Sequence, residues 1–434
     1  MSVKINLNLI YVALVLALGV SACKKEEGGY TNNASAPIKV NSFTPEEGAT
    51  GTEVLINGSN FSSDTSQIKV TINGVPLKIA GAKENQIMAY LTTKTGTGPV
   101  EVTIGSNKGA STTDFNYLFS FVVTTLAGSG NSGFADGTGA AASFNFAGVR
   151  SQLSVDDNMN VYVPDGGNQR IRKIAPDGTV TTLAGTGENG YADGNATAAK
   201  FNNPCGTGVD ASGNVYVAER NGRRIRKITP DGTVSTYAYS SGNGGNELTS
   251  VVINKTTGNV YWSDFYGDGI YALKNGNVTK VINYSLPCTI AIDAAGNIYA
   301  THYDAQMVRK YTYNAATDAF DNGTDLAGKD RQSGWVDGMG QTARFNNPWG
   351  IAIDNKNNLY VAGLGEGRNS NCVRMITPDT WNVNTIAGVG DRGYAEGTGS
   401  SARFSGPTGI AVDKNGNMYV LDMANNRVRK ITVK

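Results

Sequence analysis

The sequence predicts an all-β protein in which an immunoglobulin-like sandwich is followed by a six-bladed β-propeller. Glycine contributes 55 of the 434 residues and 40% of the residues are apolar, a composition typical of sheets joined by many turns. A short mark, an Asn followed by an aliphatic residue and a Tyr, recurs at intervals of roughly forty to sixty residues, as in propellers and related arrays. Its copies begin at Asn160, Asn214, Asn259, Asn297, Asn358 and Asn417.

Residues 1–22 have the pattern of a signal peptide. Lys4 is followed by an apolar run, residues 9–20, which is too short to cross a bilayer. Residues 20–23 read VSAC and resemble a bacterial lipobox. In lipoproteins with this motif the peptide is removed just before the Cys, and the Cys sulfur is acylated. The resemblance implies that Cys23 is the lipid attachment site, and several acyl chains anchor a protein stably.

Residues 23–36 are expected to form a flexible tether next to this anchor. The run KKEE at residues 24–27 resembles a signal with which some bacteria export lipoproteins to the outer face of the outer membrane. Residues 28–36 are small and polar and show no periodicity, as in flexible linkers. These features predict a protein that is held at the outer membrane by its lipid and faces the cell exterior.

Residues 37–118 predict a small β-sandwich. The pair Asn73-Gly74 separates two apolar runs and is a strong hairpin signal, because both turn residues tolerate positive φ. About seven short strands in this length are typical of an immunoglobulin-like domain. The resemblance to the IPT/TIG family implies a spacer or docking module without catalytic residues. It is carried by Pro45, Gly48, Gly51, Val54, Ile56, Gly58, Phe61 and residues 70–74.

Residues 119–434 contain the six repeats, and these resemble NHL repeats. In the third copy Asn254 replaces the usual Asp, and residues 260–264 look more like the related YWTD propellers. The first copy has extra residues between Phe144 and Asp156. In the sixth copy the resemblance is carried by Pro407, residues 409–413, residues 416–417, residues 419–420, Asp422 and residues 426–431.

The sixth repeat lacks an outer strand, because the chain ends with its third strand at residues 431–434. Residues 122–128 match the outer-strand segments 180–185 and 383–388. We therefore expect the segment before the first blade to complete the sixth blade, which closes the ring and removes exposed sheet edges. Residues 119–434 then supply about 53 residues per blade, as expected for blades with long loops.

A carboxylate in the second strand of a blade is expected to face an Arg in the third strand. A cross-strand ion pair of this kind contributes from a few tenths to about 1 kcal/mol. The Asp that ends each inner strand, such as Asp413, is expected to accept backbone N–H groups in the following turn. The expected ion pairs are Asp165 with Arg170 or Arg172, Glu219 with Arg224, and Asp422 with Arg427.

Four loops between blades share the pattern Gly-aromatic-x-acid-Gly and form the first candidate ligand site. An aromatic ring beside a carboxylate can stack on a sugar and accept hydrogen bonds from its hydroxyls. The alternative is that each ring folds under its loop while the carboxylate caps a turn, and repetition in four blades favours this alternative. The candidate ligand contacts in these loops are Phe134, Tyr191, Trp335 and Tyr394.

The mouth of the central channel is the second candidate site. Trp349, Cys205 and Cys288 begin innermost strands and should ring this mouth, where propellers commonly bind ligands. Trp349 is the foremost candidate ligand contact, with a packing role as the alternative. Three cysteines remain besides Cys23, and an odd number cannot form a closed set of disulfides. Cys205 and Cys288 hold the same place in the second and fourth blades, which the third blade should separate, so we expect these two to be free; the remaining one is Cys372.

Charge and residue inventory argue against several functions. Lys and Arg number 37 against 36 Asp and Glu, so the chain lacks the basic field that nucleic acid requires. His302 is the single His, which excludes a His-rich zinc site, and it is expected to be a partly exposed residue at a strand end. No nucleophile motif lies near it. We therefore predict no catalytic residue, no metal and no cofactor, with a channel calcium ion as the alternative.

These features lead to the hypothesis of a non-catalytic, monomeric lipoprotein on the cell surface. The IPT/TIG domain would hold the propeller away from the membrane, and the propeller would bind a glycan in a polysaccharide-capture system. In design the chain resembles the glycan-capture partners of outer-membrane sugar importers, an analogy of architecture and address only. The alternatives are a calcium-dependent hydrolase or lyase acting on a sugar derivative, and a protein–protein scaffold in the cell envelope.

Overall fold

The computed structural model describes residues 29–434 except 93, 147, 241–246, 268, 285 and 365–369. The chain divides into two compact units, Met1–Leu118 and Phe119–Lys434. The predicted signal peptide, residues 1–22, the lipid site Cys23 and the start of the tether lie outside the described residues. Among the helices of the described part, none is both long and apolar enough to cross a membrane.

The first unit is a sandwich of two β-sheets, as the sequence predicts. Its core contains apolar side chains from both sheets, including Val54, Ile56, Val100 and Phe115, all fully buried. A short 3-10 helix, Thr65–Gln67, precedes one strand. In spatial order the first sheet contains Lys39–Thr44, Glu53–Ser59, Gln86–Tyr90 and Lys78–Lys83. The second contains Glu47–Gly48, Asn107–Tyr117, Gly98–Ile104, Ile68–Ile72 and Val75–Pro76.

The predicted hairpin at Asn73-Gly74 is present. Ile72 pairs with Val75 across the turn, and Asn73 and Gly74 have φ angles of 50° and 75°. Both values lie in the left-handed region that this tight turn requires. The strand predicted after the turn is interrupted after Pro76, and Lys78–Lys83 joins the opposite sheet.

The described residues of the second unit form six large antiparallel sheets, numbered I to VI in the order of the repeats. Within each sheet the strands below run from the inner strand outwards. Sheet I contains Ser154–Val155, Val161–Asp165, Arg170–Ile174, Thr179–Ala184 and Gly137–Thr138. Sheet II contains Pro204–Val209, Val215–Glu219, Arg224–Ile228 and Val234–Tyr239. Sheet III contains Leu248–Ile253, Val260–Asp264, Gly269–Lys274 and Asn277–Asn283.

The remaining three sheets follow the same plan. Sheet IV contains Pro287–Ile292, Ile298–His302, Met307–Tyr311 and Thr324–Gly328. Sheet V contains Pro348–Ile353, Leu359–Gly363, Asn371–Ile376, Asn382–Gly390 and Gly338–Met339. Sheet VI contains Pro407–Val412, Met418–Asp422, Arg427–Val433, Phe121–Ala127 and Gly397–Thr398. A hairpin of Tyr313–Asn314 and Ala319–Phe320 and 3-10 turns at Gly139–Ala141, Gly166–Asn168, Gly340–Thr342, Gly399–Ser401 and Met423–Asn425 complete this unit.

The inner strands bring the six sheets together. Each inner strand contacts that of the next sheet, and the inner strand of sheet VI contacts that of sheet I. A central cavity of about 240 Å³ lies between them and is lined mainly by Val, Ile and Ala side chains from all six sheets. The outer strand of sheet VI is Phe121–Ala127, which pairs with the final strand of the chain, with Val123 opposite Ile431.

The Asn and Tyr of the repeated mark share one hydrogen-bond acceptor. In sheet VI one carboxylate oxygen of Asp413 accepts the backbone N–H groups of Asn415 at 2.8 Å and Asn417 at 2.9 Å. The other oxygen accepts the Asn417 side-chain amide at 2.8 Å and the Tyr419 hydroxyl at 3.1 Å. The predicted role of Asp413 in its turn is therefore confirmed. The constant spacing between the Asn and the Tyr in each repeat of this chain follows from this network.

Sheet I has a short inner strand, and a side chain replaces part of its hydrogen bonding. The Gln152 amide nitrogen donates to the carbonyl oxygens of Ile410 at 2.8 Å and Ile351 at 3.1 Å. Its amide oxygen accepts the Ile410 N–H at 3.1 Å. The backbone of Gln152 also bonds to Cys205 and Thr207 of sheet II. One residue thus links three sheets where the first repeat departs from the others.

Candidate ligand-binding face

Five of the six exposed aromatic side chains described in the second unit lie at one end of its sheets, here called the loop face; the sixth, Phe119, precedes the strand Phe121–Ala127. This end carries the turns between second and third strands. Tyr266 lies in the turn after the second strand of sheet III, and Tyr239 pairs with Arg224 at the start of a third strand. Tyr266 and Tyr239 are 50% and 57% exposed. The four Gly-aromatic-x-acid-Gly loops lie at the same end, since Tyr191 abuts the turn at Gly222.

Three of the loop rings stack on an Arg from the start of a third strand. The guanidinium carbon lies 3.9 Å from the ring centre for Phe134 on Arg170 and 3.8 Å for Tyr191 on Arg224. The third pair, Tyr394 on Arg427, is separated by 4.0 Å. Each such contact is worth about 0.5–1 kcal/mol at an exposed site. The three rings remain 43–46% exposed, so they neither fold completely under their loops nor stand free.

The loop carboxylates tie the loops to the sheets. Asp136 accepts a hydrogen bond from Arg172 at 2.6 Å, and Asp193 accepts one from Arg226 at 2.6 Å. Burial favours the neutral acid, but the hydrogen bonds from Arg226 and Thr236 outweigh it and hold the pKa of Asp193 below its usual value. These oxygens are therefore engaged within the protein, which resembles the turn-capping role considered from the sequence.

The ion pairs between second and third strands differ from the expected ones. Asp165 pairs with Arg172 at 2.8 Å, one of its two expected partners. The expected partners Arg224 and Arg427 are wrong. Arg224 and Arg427 are the direct cross-strand neighbours of the carboxylates, but their guanidinium groups stack on the loop rings. The Arg two residues further along the strand pairs with the carboxylate instead. The observed pairs are Glu219 with Arg226 at 3.2 Å and Asp422 with Arg429 at 3.0 Å.

These ion pairs are also fully buried, which the sequence did not predict. The side chains of Asp165, Arg172, Asp422 and Arg429 are all 0% exposed. Burial raises the pKa of Asp422 to about 6 in spite of its hydrogen bonds. The energy expected for an exposed pair therefore does not apply, because a buried charge that loses its partner is strongly destabilising.

Trp349 lies at the mouth of the central region but has no exposed surface. Its ring packs against Phe265 and Tyr303, with centroid distances of 5.5 Å and 6.1 Å. The Arg150 guanidinium lies over the indole at 4.8 Å. The Trp349 Nε1 has no hydrogen-bond partner among the described residues. The packing alternative therefore describes Trp349 in this structure, and a ligand reaches it only if these neighbours move.

The cysteines beside this mouth are buried and free, as expected for the described part of the chain. The Cys205 thiol donates to the Leu248 carbonyl at 2.8 Å. Burial raises the pKa of Cys288 well above its usual value, so this thiol is neutral. Neither group has the thiolate character that reactivity requires.

The expectation of a partly exposed His302 is wrong. His302 is 1% exposed, because its strand end is covered by neighbouring aromatic rings. Its Nε2 lies 3.2 Å from the Tyr311 hydroxyl, and its ring centre is 4.3 Å from that of Tyr284. Within the described ranges no three His, Cys, Asp or Glu side chains are grouped closely enough to hold a metal ion.

Two segments match known families. Residues 37–120 match the IPT/TIG domain, and residues 404–431 match the NHL repeat. Among curated proteins, the human NHL repeat-containing protein 2 is 26% identical over 319 residues, which are 70% of this chain and 41% of that protein. The Arabidopsis thaliana protein SUPPRESSOR OF QUENCHING 1, chloroplastic, is 25% identical over 288 residues. That match covers 58% of this chain and 27% of the Arabidopsis protein. The chain therefore spans less than half the length of either relative.

Solved structures from Bacteroides share the fold over 93% of this chain. A protein of unknown function from Bacteroides thetaiotaomicron has a TM-score of 0.65 and 21% identity, with all of that chain covered. Two auxiliary nutrient binding proteins, from Bacteroides thetaiotaomicron and Bacteroides ovatus, have TM-scores of 0.58 and 0.59. Both are 22% identical and are covered over 99% and 100% of their lengths. The chain therefore combines an IPT/TIG domain with an NHL repeat in an all-β, propeller-like structure.

Proposed function

We propose that this protein is a lipid-anchored, surface-exposed binding protein without catalytic activity, and that its loop face binds an extracellular glycan. In this proposal the six sheets are the blades of a propeller that Phe121–Ala127 closes as the outer strand of the last blade. The contact of the inner strands in cyclic order and the pairing of Val123 with Ile431 support this architecture. Cys23 would carry the lipid, and its position after residues 20–22 supports this role.

The observation that carries the proposal is that five half-exposed aromatic rings, from four of the six sheets, lie at the loop face. A rigid aromatic ring binds the apolar face of a sugar with little loss of conformational entropy, because it has few rotatable bonds. Here the Arg contacts hold three of the rings in place before any ligand arrives. These five rings are Phe134, Tyr191, Tyr239, Tyr266 and Tyr394.

Two further observations agree with a binding role. The solved structures named as auxiliary nutrient binding proteins share this fold along nearly their whole length. The lipobox-like residues 20–23 and the run at residues 24–27 would place the loop face outside the cell, where polysaccharides are captured. A protein bound this way needs no membrane-spanning segment, because acyl chains supply the anchor.

Affinity electrophoresis tests the proposal. The chain from residue 24 onwards is run through gels that contain starch, dextran, xylan, galactomannan or an acidic pectin. We expect at least one polysaccharide to retard the protein, and a Tyr191→Ala/Tyr394→Ala variant to migrate faster in the same gel, because each lost stack weakens binding by about 0.5–1.5 kcal/mol. Tyr313→Ala is the matched control, since the backbone N–H of Tyr313 donates to the Asn297 side chain at the opposite end of the sheets.

Two outcomes contradict the proposal. If no polysaccharide retards the unmodified protein, glycan binding is ruled out for this panel and the loop face has another role. If Tyr313→Ala lowers retention as much as the loop-face variant, the ligand binds elsewhere on the protein. A circular dichroism melt of each variant separates loss of binding from loss of folding.

A further inference from the structure

Residues 29–36, the second half of the expected flexible tether, are held against the sandwich of the first unit. Asn60, which is 8% exposed, makes most of the contacts. Its side-chain oxygen accepts the Asn33 N–H at 2.7 Å. Its amide nitrogen donates to the carbonyl oxygens of Asn33 at 2.9 Å and Ala36 at 2.7 Å. The expectation of a flexible tether is therefore wrong for this segment.

Two further residues of the sandwich hold the same segment. The Ser63 N–H and hydroxyl both donate to the Tyr30 carbonyl oxygen, at 2.8 Å and 3.0 Å. The Asn107 side chain donates to the Ala34 carbonyl oxygen at 2.9 Å. Ser63 lies in the loop after the strand Glu53–Ser59 of the first sheet, whereas Asn107 begins a strand of the second sheet. The segment is thus fixed to both sheets.

These contacts lie at one end of the sandwich, here called the anchor pole. It contains residues 29–39, 59–67, 83–86 and 104–108. The strand Asn107–Tyr117 runs from this pole to the opposite one, a length of about 30 Å. At the opposite pole the Asn116 N–H donates to the Glu46 carbonyl, and the chain leaves the unit at Leu118. The chain therefore enters the sandwich at one pole and leaves it at the other.

The number of residues before the docked segment limits the distance between the anchor pole and a lipid on Cys23. Tyr30 follows Cys23 by seven positions in the sequence. Because an extended chain spans at most 3.3–3.6 Å per residue, the two residues lie within about 25 Å of each other. A tether that stayed free as far as Pro37 would reach about 50 Å. Docking of residues 29–36 therefore removes about half of the reach.

The side chains of the anchor pole suit a layer of polar lipid headgroups. Its exposed charged residues are Lys39, Asp64, Lys83, Glu84 and Lys108. The exposed large apolar side chains described in the first unit, Met88 and Leu118, both lie outside this pole. Because charged groups are costly to bury in hydrocarbon, the pole can rest on headgroups but not insert between acyl chains.

Resting on the lipid anchor proposed above, we infer that the anchor pole is a membrane-facing surface that lies against the lipid headgroups. Asn60 is the positioning residue, since its amide fixes the segment that leads to the lipid. The opposite pole, from which the chain leaves at Leu118, is then held farther from the lipid. The sandwich acts in this way as a stiff spacer and not as a domain on a long flexible linker.

Proteolysis of the chain from residue 24 onwards tests the docking without any lipid. Asn60→Gly removes the amide but keeps the left-handed φ of 63°, which Gly adopts freely. Chymotrypsin should cleave after Tyr30 about tenfold faster in this variant, because the segment is released. Asn73→Gly is the matched control: it makes the same change at a φ of 50°, in the hairpin away from this pole, and should cleave like the unmodified chain. Equal rates for all three chains would overturn the docking.

Energy transfer tests the membrane-facing surface in the full-length, acylated protein. The protein is inserted into vesicles of phosphatidylethanolamine and phosphatidylglycerol that contain a rhodamine-labelled headgroup. A donor dye is attached to Glu84→Cys at the anchor pole or to Glu46→Cys at the opposite pole, both exposed positions. We expect transfer to be about twofold or more higher from Glu84→Cys, since about 30 Å separates the poles. Asn60→Gly should reduce this difference, and Asn73→Gly should preserve it.

The outcomes separate this inference from the proposed function. If the protein floats with the vesicles but the two labels transfer energy equally, the membrane-facing surface is disproved while the lipid anchor stands. If the protein does not float with the vesicles, the proposed lipid anchor fails, and the membrane-facing surface fails with it. Glycan binding is decided separately in the polysaccharide gels. A circular dichroism melt of each variant shows whether a change in cleavage or transfer reflects lost docking or lost folding.

Discussion

At the residue scale, buried Arg–acid pairs join separate segments of sheets I, II and VI. Arg429 donates to Asp422 and to the carbonyl oxygens of Arg403 and Ala395, so one guanidinium joins a strand, a loop and an inter-sheet connection. Asp422 also accepts the Ser405 N–H at 2.7 Å. Each cluster therefore fixes the loop that carries the aromatic ring of its own sheet.

We predict that Arg429→Met destabilises the protein by about 3–5 kcal/mol, because Asp422 is left buried without its counter-charge. The Asp422→Leu/Arg429→Met double variant should lose less, since no charge remains buried. Lys200→Met, which breaks the exposed pair with Glu188, is the control and should change stability little. Urea denaturation measures all three, and equal losses for the single and double variants would refute the argument.

The free energy of unfolding should depend on pH because of this burial. Burial raises the pKa of Glu219 from its usual 4.5 to about 7, in spite of the attraction of Arg226. Between these two pH values the folded protein holds a proton that the unfolded chain has released. The free energy of unfolding should therefore decrease as the pH rises through this window. In urea titrations at several pH values Glu219→Gln should flatten this slope, and an unchanged slope would contradict the assignment.

Sequence patterns predicted residue types at this scale better than residue partners. The Asp of each inner-strand turn was predicted from its position alone, but the Tyr hydroxyl that bonds to it was not. The partner of Glu219 was misassigned, because strand pairing defines which backbones are adjacent and not where a long Arg side chain bends.

At the element scale, the outer strand of sheet VI comes from the other end of the second unit. Phe121–Ala127 pairs along Arg427–Val433, and Ser120 and Lys434 exchange backbone hydrogen bonds of 3.0 Å and 2.9 Å. This strand was located from its likeness to the segments at residues 180–185 and 383–388. The bridging role of Gln152 could not be predicted, because it depends on where the short inner strand of sheet I stops.

We predict that a chain beginning at residue 119 folds and that one beginning at residue 128 does not reach the same stability. The shorter chain lacks Phe121–Ala127, so the backbone N–H and C=O groups of the last strand lose their partners and Val123 no longer fills its buried position. Thermal unfolding and size-exclusion chromatography make the comparison. Equal melting temperatures and monomeric behaviour for both chains would show that the strand is dispensable.

At the scale of the whole molecule, repeat period and hydrophobic alternation were sufficient to predict an all-β chain of repeats, whereas the IPT/TIG domain and the NHL repeat were predicted from resemblance to known families. These features depend on average burial, which a sequence pattern records well. The candidate ligand contacts were harder. Trp349 is fully buried. Trp335 is partly exposed, and its Nε1 donates to the Thr385 hydroxyl at 2.9 Å. Neither environment could be predicted from the sequence, because the side chains around each ring come from distant parts of the chain.

The pairing of Phe121–Ala127 with Arg427–Val433 also has a consequence for biosynthesis. The ribosome synthesises the chain from its N-terminus, so Phe121–Ala127 stays unpaired until about 300 further residues have been made. Contacts between segments this distant in sequence also form slowly. Until the last residues arrive, the unpaired edge is open to other chains. A premature stop or a cleaved C-terminus would therefore leave an aggregation-prone intermediate with an unpaired strand edge, which cellular quality control would have to remove.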